Sequence, residues 1–178
     1  MLGMFCGALF WRVLEALPLL IFLAYIHTFP PLNRQEWLAP YGLSVVAAAA
    51  VSLFLLWRIK TLNAVFFAIT LYFVSGFLAL LAGVGVINEW YGRLEAVAMI
   101  LWIIFVAVAG LFVPCKWLSL IHLRDRQRLI IFIAGVSLAA IVAQVFRKVP
   151  LIAEFLVFVF IFSLHAVLSS SSRPNERG

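Results

Sequence analysis

Six apolar runs, near residues 8–29, 41–57, 62–87, 96–113, 129–146 and 151–168, leave this chain few ways to fold. Each is long enough to cross a hydrocarbon core about 30 Å thick as a helix rising about 1.5 Å per residue. In lipid the backbone must satisfy its own hydrogen bonds, so runs of this kind become helices. A water-soluble alternative fails on composition. With 66% hydrophobic and 11% charged residues, the chain could not clothe a soluble surface in polar groups. The layout predicts an all-α integral membrane protein. It is a six-transmembrane-helix bundle forming one domain over residues 1–168, with a Ser-rich, charged and disordered tail at 169–178.

The longest basic stretch, Pro114 to Arg128, orients the bundle. It holds Lys116, Arg124, Arg126 and Arg128 against one acid, Asp125. With six spans, one side receives nine cations: Arg12, Arg58, Lys60, Lys116, Arg124, Arg126, Arg128, Arg173 and Arg177. The other receives four: Arg34, Arg93, Arg147 and Lys148. Positive loops stay in the cytoplasm, so both termini are expected inside, in a bacterial inner membrane. The indoles agree. Trp11, Trp57 and Trp117 fall at the inner ends of spans, and Trp37 and Trp90 at the outer ends; Trp102 alone lies well inside a span.

A net charge of +6 would point to nucleic acid in a soluble protein. Here it reads as basic loops held at an anionic membrane face, with no nucleic-acid partner. Lys116, Arg124, Arg126 and Arg128 are the candidate anionic-lipid contacts. Trp117, Leu118 and Ile121 would share a face if that stretch were a short interfacial helix; an irregular solvated loop fits equally. Cys6 and Cys115 make no disulfide framework. No basic residue precedes the first apolar run and no small-x-small site comes after it, so that span is expected to be retained rather than cleaved.

Local patterns set further expectations. Arg12 and Glu15 are three apart and can pair on one helix face. Pro18 kinks the first span or ends its first turn. The turn Arg58–Ile59–Lys60–Thr61 is so short that spans two and three must be antiparallel neighbours. Small residues recur every four positions at Ser44–Ala48–Ser52, Ser75–Ala79–Gly83 and Gly135–Ala139–Ala143, forming ridges that let helices approach closely. Asn88 to Glu95 reads as a loop.

Ionisable groups inside a bilayer are costly, so each needs a reason. Near the inner face are Arg12, Glu15 and His165. Near the outer face are His27, Glu95, Gln144 and Glu154, with Arg147 and Lys148 close by. The midplane holds only weak polar groups such as Ser75 and Ser137. Ion-coupled carriers bind near the midplane on broken helices, so coupled transport by a monomer is disfavoured. Glu154 is the best candidate for a functional carboxylate; a pair with Arg147 or Lys148 is the structural alternative. Ser137 and His165 could form a dyad, but their depths differ by roughly 7 to 8 Å at 1.5 Å per residue. No metal-ligand spacing, phosphate-binding glycine loop or cofactor motif occurs.

Several features together resemble the bacterial intracellular septation protein A family. They are Leu17–Pro18–Leu19–Leu20 followed by Tyr25, the basic turn Trp57–Arg58–Ile59–Lys60, Trp90–Tyr91–Gly92–Arg93 before span four, and the Pro150 turn. In the fifth span Ile131–Phe132–Ile133–Ala134–Gly135 stands where that family tends to carry a Trp, paired Phe and Asn pattern. The resemblance implies a role in cell-envelope maintenance or division through membrane partners rather than catalysis.

Three functions remain as expectations. The first is a non-enzymatic envelope scaffold contacting membrane lipids, other inner-membrane proteins or a second copy. The second is a small oligomeric transporter or channel with a polar pathway near Glu154, Glu95 and His27. The third is a lipid-modifying enzyme. A polar cavity reaching Glu154, Glu95 and His27 favours transport; a bundle closed to water, with Glu154 paired to Arg147 or Lys148, favours the scaffold.

Overall fold

The computed structural model describes residues 2–58, 60–94, 96–112, 118–119, 126–149 and 151–170. The described chain is all-α apart from one two-residue parallel pairing. Helices run α1 Leu2–Thr28, α2 Leu38–Arg58, α3 Ala64–Leu81, α4 Gly85–Leu94, α5 Ala96–Phe112 and α6 Arg126–Val145. A π-helical segment, Leu151–Leu156, then leads into α7, Val157–Ser170. Five helices are long and apolar enough to cross a membrane, and the bent pair α4–α5 makes six if counted as one span. Their outward faces carry the apolar side chains that lipid requires: Val46, Leu53, Phe105, Leu138 and Ile141 are all more than half exposed.

The first correction falls in the third span. Its apolar run continues to Ile87, but α3 stops at Leu81. Gly83 adopts φ +73°, donates to the Leu80 carbonyl (3.3 Å), and Val84 donates to that of Ala79 (2.9 Å). This Schellman-type ending satisfies the last carbonyls, and a left-handed residue is costly for anything but glycine. Gly83 therefore ends the helix instead of completing a small-residue ridge. Nor is the next segment a loop. Residues 85–94 form α4, which meets α5 at 103°.

Other expectations meet mixed outcomes. α1 runs unbroken through the buried Pro18, so the proline does not end it. α2 packs on α3, as the short turn between them requires. Ser44 and Ala48 are buried on α2, as are Ala139 and Ala143 on α6, so these ridges are used for packing inside this chain. Leu118 and Ser119 are extended and pair with Leu62 and Asn63, so they do not belong to an interfacial helix. The rest of the basic stretch before Arg126, including Lys116, Trp117, Ile121 and Arg124, lies outside the described residues, as do the side chain of Arg126 and the tail 171–178.

Neighbours in sequence are neighbours in space. α1 packs on α2, α2 on α3, α3 on α5, α5 on α6 and α6 on α7. α1 and α7 lack comparable packing against each other. A seam therefore remains where the first and last helices face.

Asn63 locks the end of the bundle where α2 turns into α3. Its side-chain oxygen accepts from the Val65 N–H (2.9 Å), capping α3, while its amide donates to Glu15 on α1 (2.9 Å). Glu15 is thus hydrogen-bonded by Asn63, while Arg12, exposed and beyond ion-pair distance, acts on it through charge alone. Asn63→Ala removes the cap and the interhelical bond together. It is expected to cost about 1–2 kcal/mol, read as earlier thermal unfolding in detergent. Asn63→Asp is expected to keep the cap yet destabilise as well, because a second carboxylate would face Glu15.

Candidate functional site

The site forms at the end of the bundle carrying the 29–37 and 82–94 connections. The first connection is held by side chains. Asn33 accepts from the backbone N–H groups of Gln35 and Glu36 (both 3.1 Å), and Glu36 reaches back to the Leu32 N–H (2.6 Å). This reciprocal arrangement behaves like a helix capping box and fixes the path into α2. Arg34 sits at its tip, exposed.

Beneath it lies an aromatic wall. Tyr41 on α2 and Tyr72 on α3 join hydroxyls at 2.9 Å. Tyr72 stacks on Tyr91 of α4 at 4.7 Å between ring centroids, and Phe22 of α1 meets Tyr41 edge-on at 5.2 Å. Trp37 packs on both Phe22 and Tyr41. The polar ends of these rings are satisfied in sequence. Trp102 donates its indole N–H to the Tyr91 hydroxyl (2.7 Å), and Ser75 donates to the backbone carbonyl of Tyr72 (2.9 Å). The serine hydrogen is thereby committed, so the Tyr91 hydroxyl must donate to Ser75 Oγ at 2.6 Å. This chain of bonds brings α4 onto α3 and α5. It also explains the one indole set inside a span: Trp102 has a buried acceptor.

These rings border a cavity of about 580 Å³. Leu19, Leu23 and Ile26 of α1, Leu80 of α3, Met99 of α5 and Phe158 of α7 supply its apolar lining. Asn33, Arg34 and Glu89 reach it from the connections, and Glu154 reaches it from the π-helical segment. The cavity opens where α1 and α7 lack close packing, and residues of α2 to α5 complete its wall. Volume and lining match a site for a drug-sized molecule.

Glu154 and His27 are brought together, with Nε2 of His27 3.7 Å from Oε2 of Glu154. His27 Nδ1 faces the Leu23 carbonyl at 2.9 Å. A carbonyl only accepts, so Nδ1 carries the hydrogen. Nε2 therefore forms an ion pair with Glu154 when protonated and is a second acceptor facing it when neutral. Arg147 and Lys148, the partners expected for Glu154, are exposed and make no ion pair among the described residues. A π-helical turn is rare and recurs at functional sites, where it changes the direction of a side chain; here it carries Glu154.

The remaining candidates lie elsewhere. Glu95 is outside the described residues. Arg12 and Glu15 are at the Asn63 end of the bundle. His165 is buried between α6 and α7, edge-on to Phe132 at 5.7 Å. Arg128 is half-buried and bonds the Leu168 carbonyl (3.4 Å), tying α6 to α7. No group of three metal-ligating side chains occurs among the described residues.

The tyrosines were missed by sequence reasoning. A usable signal existed: Tyr41 and Tyr72 stand inside apolar runs, where each hydroxyl needs a partner.

No protein-family model matches this chain, and neither the curated proteins nor the solved structures compared with it contain a match. Fold and site define a class without those aids: an all-α protein of membrane type, with an aromatic cavity at one end of its bundle.

Proposed function

We propose that this chain is a multi-pass, non-enzymatic membrane protein that binds a small amphipathic molecule in the seam between its first and last spans, as the binding step of a carrier. The cavity of about 580 Å³ that reaches Glu154 carries this reading. Of the residues expected along a transport pathway, Glu154 lines this cavity, and the otherwise mostly apolar lining supports an amphipathic guest. In the orientation we favour, both termini are cytoplasmic in a bacterial inner membrane and the cavity lies at the outer end. An oligomer, in which copies supply the rest of a pathway, is compatible with a site at one end only.

A neutral fluorescent amphiphile, N-phenyl-1-naphthylamine, tests the binding step. Saturable binding at one site per chain is expected for the purified protein in nanodiscs. Ala96 is a half-buried lining residue. Ala96→Trp is expected to fill the cavity and weaken binding at least tenfold, with the monodisperse peak unchanged. Non-saturable partitioning that is identical in both proteins would defeat the proposal.

A second reading is a structural or scaffolding role in envelope maintenance or division, through lipids, other inner-membrane proteins or self-association. It is supported by the layout resemblance to the septation family and by the nine cations gathered on one side. Glu154→Gln separates the two. Normal folding with lost rescue of a deletion strain's envelope phenotype favours the cavity; full rescue favours the scaffold.

A further inference from the structure

The geometry points to an amphipathic organic cation as the occupant of the seam cavity, its ammonium group held between the Glu154 carboxylate and the aromatic wall. This rests on the binding reading above and names its ligand class. Three independent features converge. The first is charge. Among the described ionisable side chains that line the cavity, Arg34 and Glu89 are exposed, and Glu89 already faces Arg93 at 3.9 Å. Glu154 is the withdrawn one, its side chain only 24% exposed. The interior is therefore negative and the rim mixed.

The second is the wall. Phe22, Trp37, Tyr41 and Tyr72 place four aromatic rings around the cavity, with successive centroids 5.2 to 6.3 Å apart. Aromatic quadrupoles attract cations, most strongly when the cation is desolvated, and rings with a nearby carboxylate recognise alkylated ammonium groups. They give an anion no such stabilisation. The third is the apolar remainder. Leu19, Leu23, Leu80 and Met99 offer an oily body its place, so a bare inorganic cation would leave most of the cavity unused. When His27 is protonated it competes with the guest for Glu154 from 3.7 Å.

Displacement of N-phenyl-1-naphthylamine from the full chain in nanodiscs supplies the test, with two probes of equal shape. Benzyltrimethylammonium carries the charge, and neopentylbenzene is its neutral carbon counterpart. The cation is expected to displace the reporter at least tenfold more strongly. Glu154→Gln is expected to abolish that preference while the reporter still binds. Trp37→Leu, at a half-buried position, is expected to weaken the cation about fivefold and the neutral probe much less. Equal displacement by both probes, or stronger displacement by benzenesulfonate, overturns the cation assignment and leaves a shape-selective binding protein. Absence of saturable reporter binding removes the binding reading itself. Nanodiscs of phosphatidylglycerol, with and without phosphatidylethanolamine, separate the two sources of such a group. Loss of cation binding with the aminolipid identifies a lipid headgroup as the natural guest, and unchanged binding identifies a free amine.

Discussion

Gly76→Ala is expected to destabilise the protein by about 2 kcal/mol, against the usual sign for such a change. Within an exposed helix, alanine is better than glycine by about 1 kcal/mol. Gly76 lies buried inside α3, facing Tyr41 of α2. A methyl group there would overlap the Tyr41 ring, with Cδ1 and Cζ both 2.9 Å from the new carbon. That ring cannot swing aside cheaply. Its hydroxyl is bonded to Tyr72, and Phe22, Trp37 and Phe73 enclose it. Overpacking of this kind costs about 1–3 kcal/mol. Thermal unfolding in detergent measures the effect, and a Tyr41→Leu background identifies its cause. There the alanine is expected to be tolerated, since the obstructing ring is gone; an equal cost in both backgrounds would refute the steric account. Gly135→Ala is the informative contrast, because its new methyl meets Leu164 Cδ2, the far end of a flexible side chain.

The second large effect is expected at Tyr91→Phe, with a loss of about 2 kcal/mol. The substitution removes one oxygen and orphans two groups, the Trp102 N–H and the Ser75 oxygen. Interhelical hydrogen bonds in membrane proteins average less than 1 kcal/mol, because unfolded helices in lipid also find partners. Two part-buried groups left unpaired at once exceed that average. Because Tyr91 anchors α4, amide hydrogen exchange over residues 85–94 is expected to accelerate in the variant while that of α2 and α6 stays slow. Trp102→Phe removes the same bond from its other side. The double variant is therefore expected to cost about 1 kcal/mol less than the sum of the singles; strict additivity would show that the bond does not hold α4 in place.

Much of the fold is legible in the residues, and for one reason. Lipid exposure is a local requirement, met by long apolar runs, so span positions can be read from composition alone. α2, α5 and α6 begin and end within about three residues of their apolar runs. The misreading at α3 is equally instructive. Hydropathy continues smoothly through Leu81, Ala82, Gly83 and Val84, and nothing apolar or polar marks the break. Gly83 was visible as a small residue, but whether a glycine pads a ridge or turns the chain depends on its φ, which hydropathy does not encode.

Of the site, His27 and Glu154 were singled out by depth, a quantity that sequence position supplies. Their meeting was not, because 127 positions separate them and only the folded seam brings them within 3.7 Å. Arg147 and Lys148 were the nearer partners along the chain, and exposure at the end of α6 keeps them apart from Glu154. The aromatic wall escaped notice for a related reason. Tyrosine in an apolar run counts as one more large side chain until its hydroxyl is traced to a partner. Tyr41, Tyr72 and Tyr91 find theirs on different helices.

The sequence by itself determined that this is an all-α protein of membrane type and where most of its helices lie. Those properties are sums over neighbouring residues. Only the tertiary structure decided that α4 folds across the bundle end, that Asn63 hydrogen-bonds Glu15, and that a cavity opens between α1 and α7. Each depends on groups far apart in the chain, whose approach is set by close packing at positions such as Gly76 and by the need of every buried polar atom for a partner.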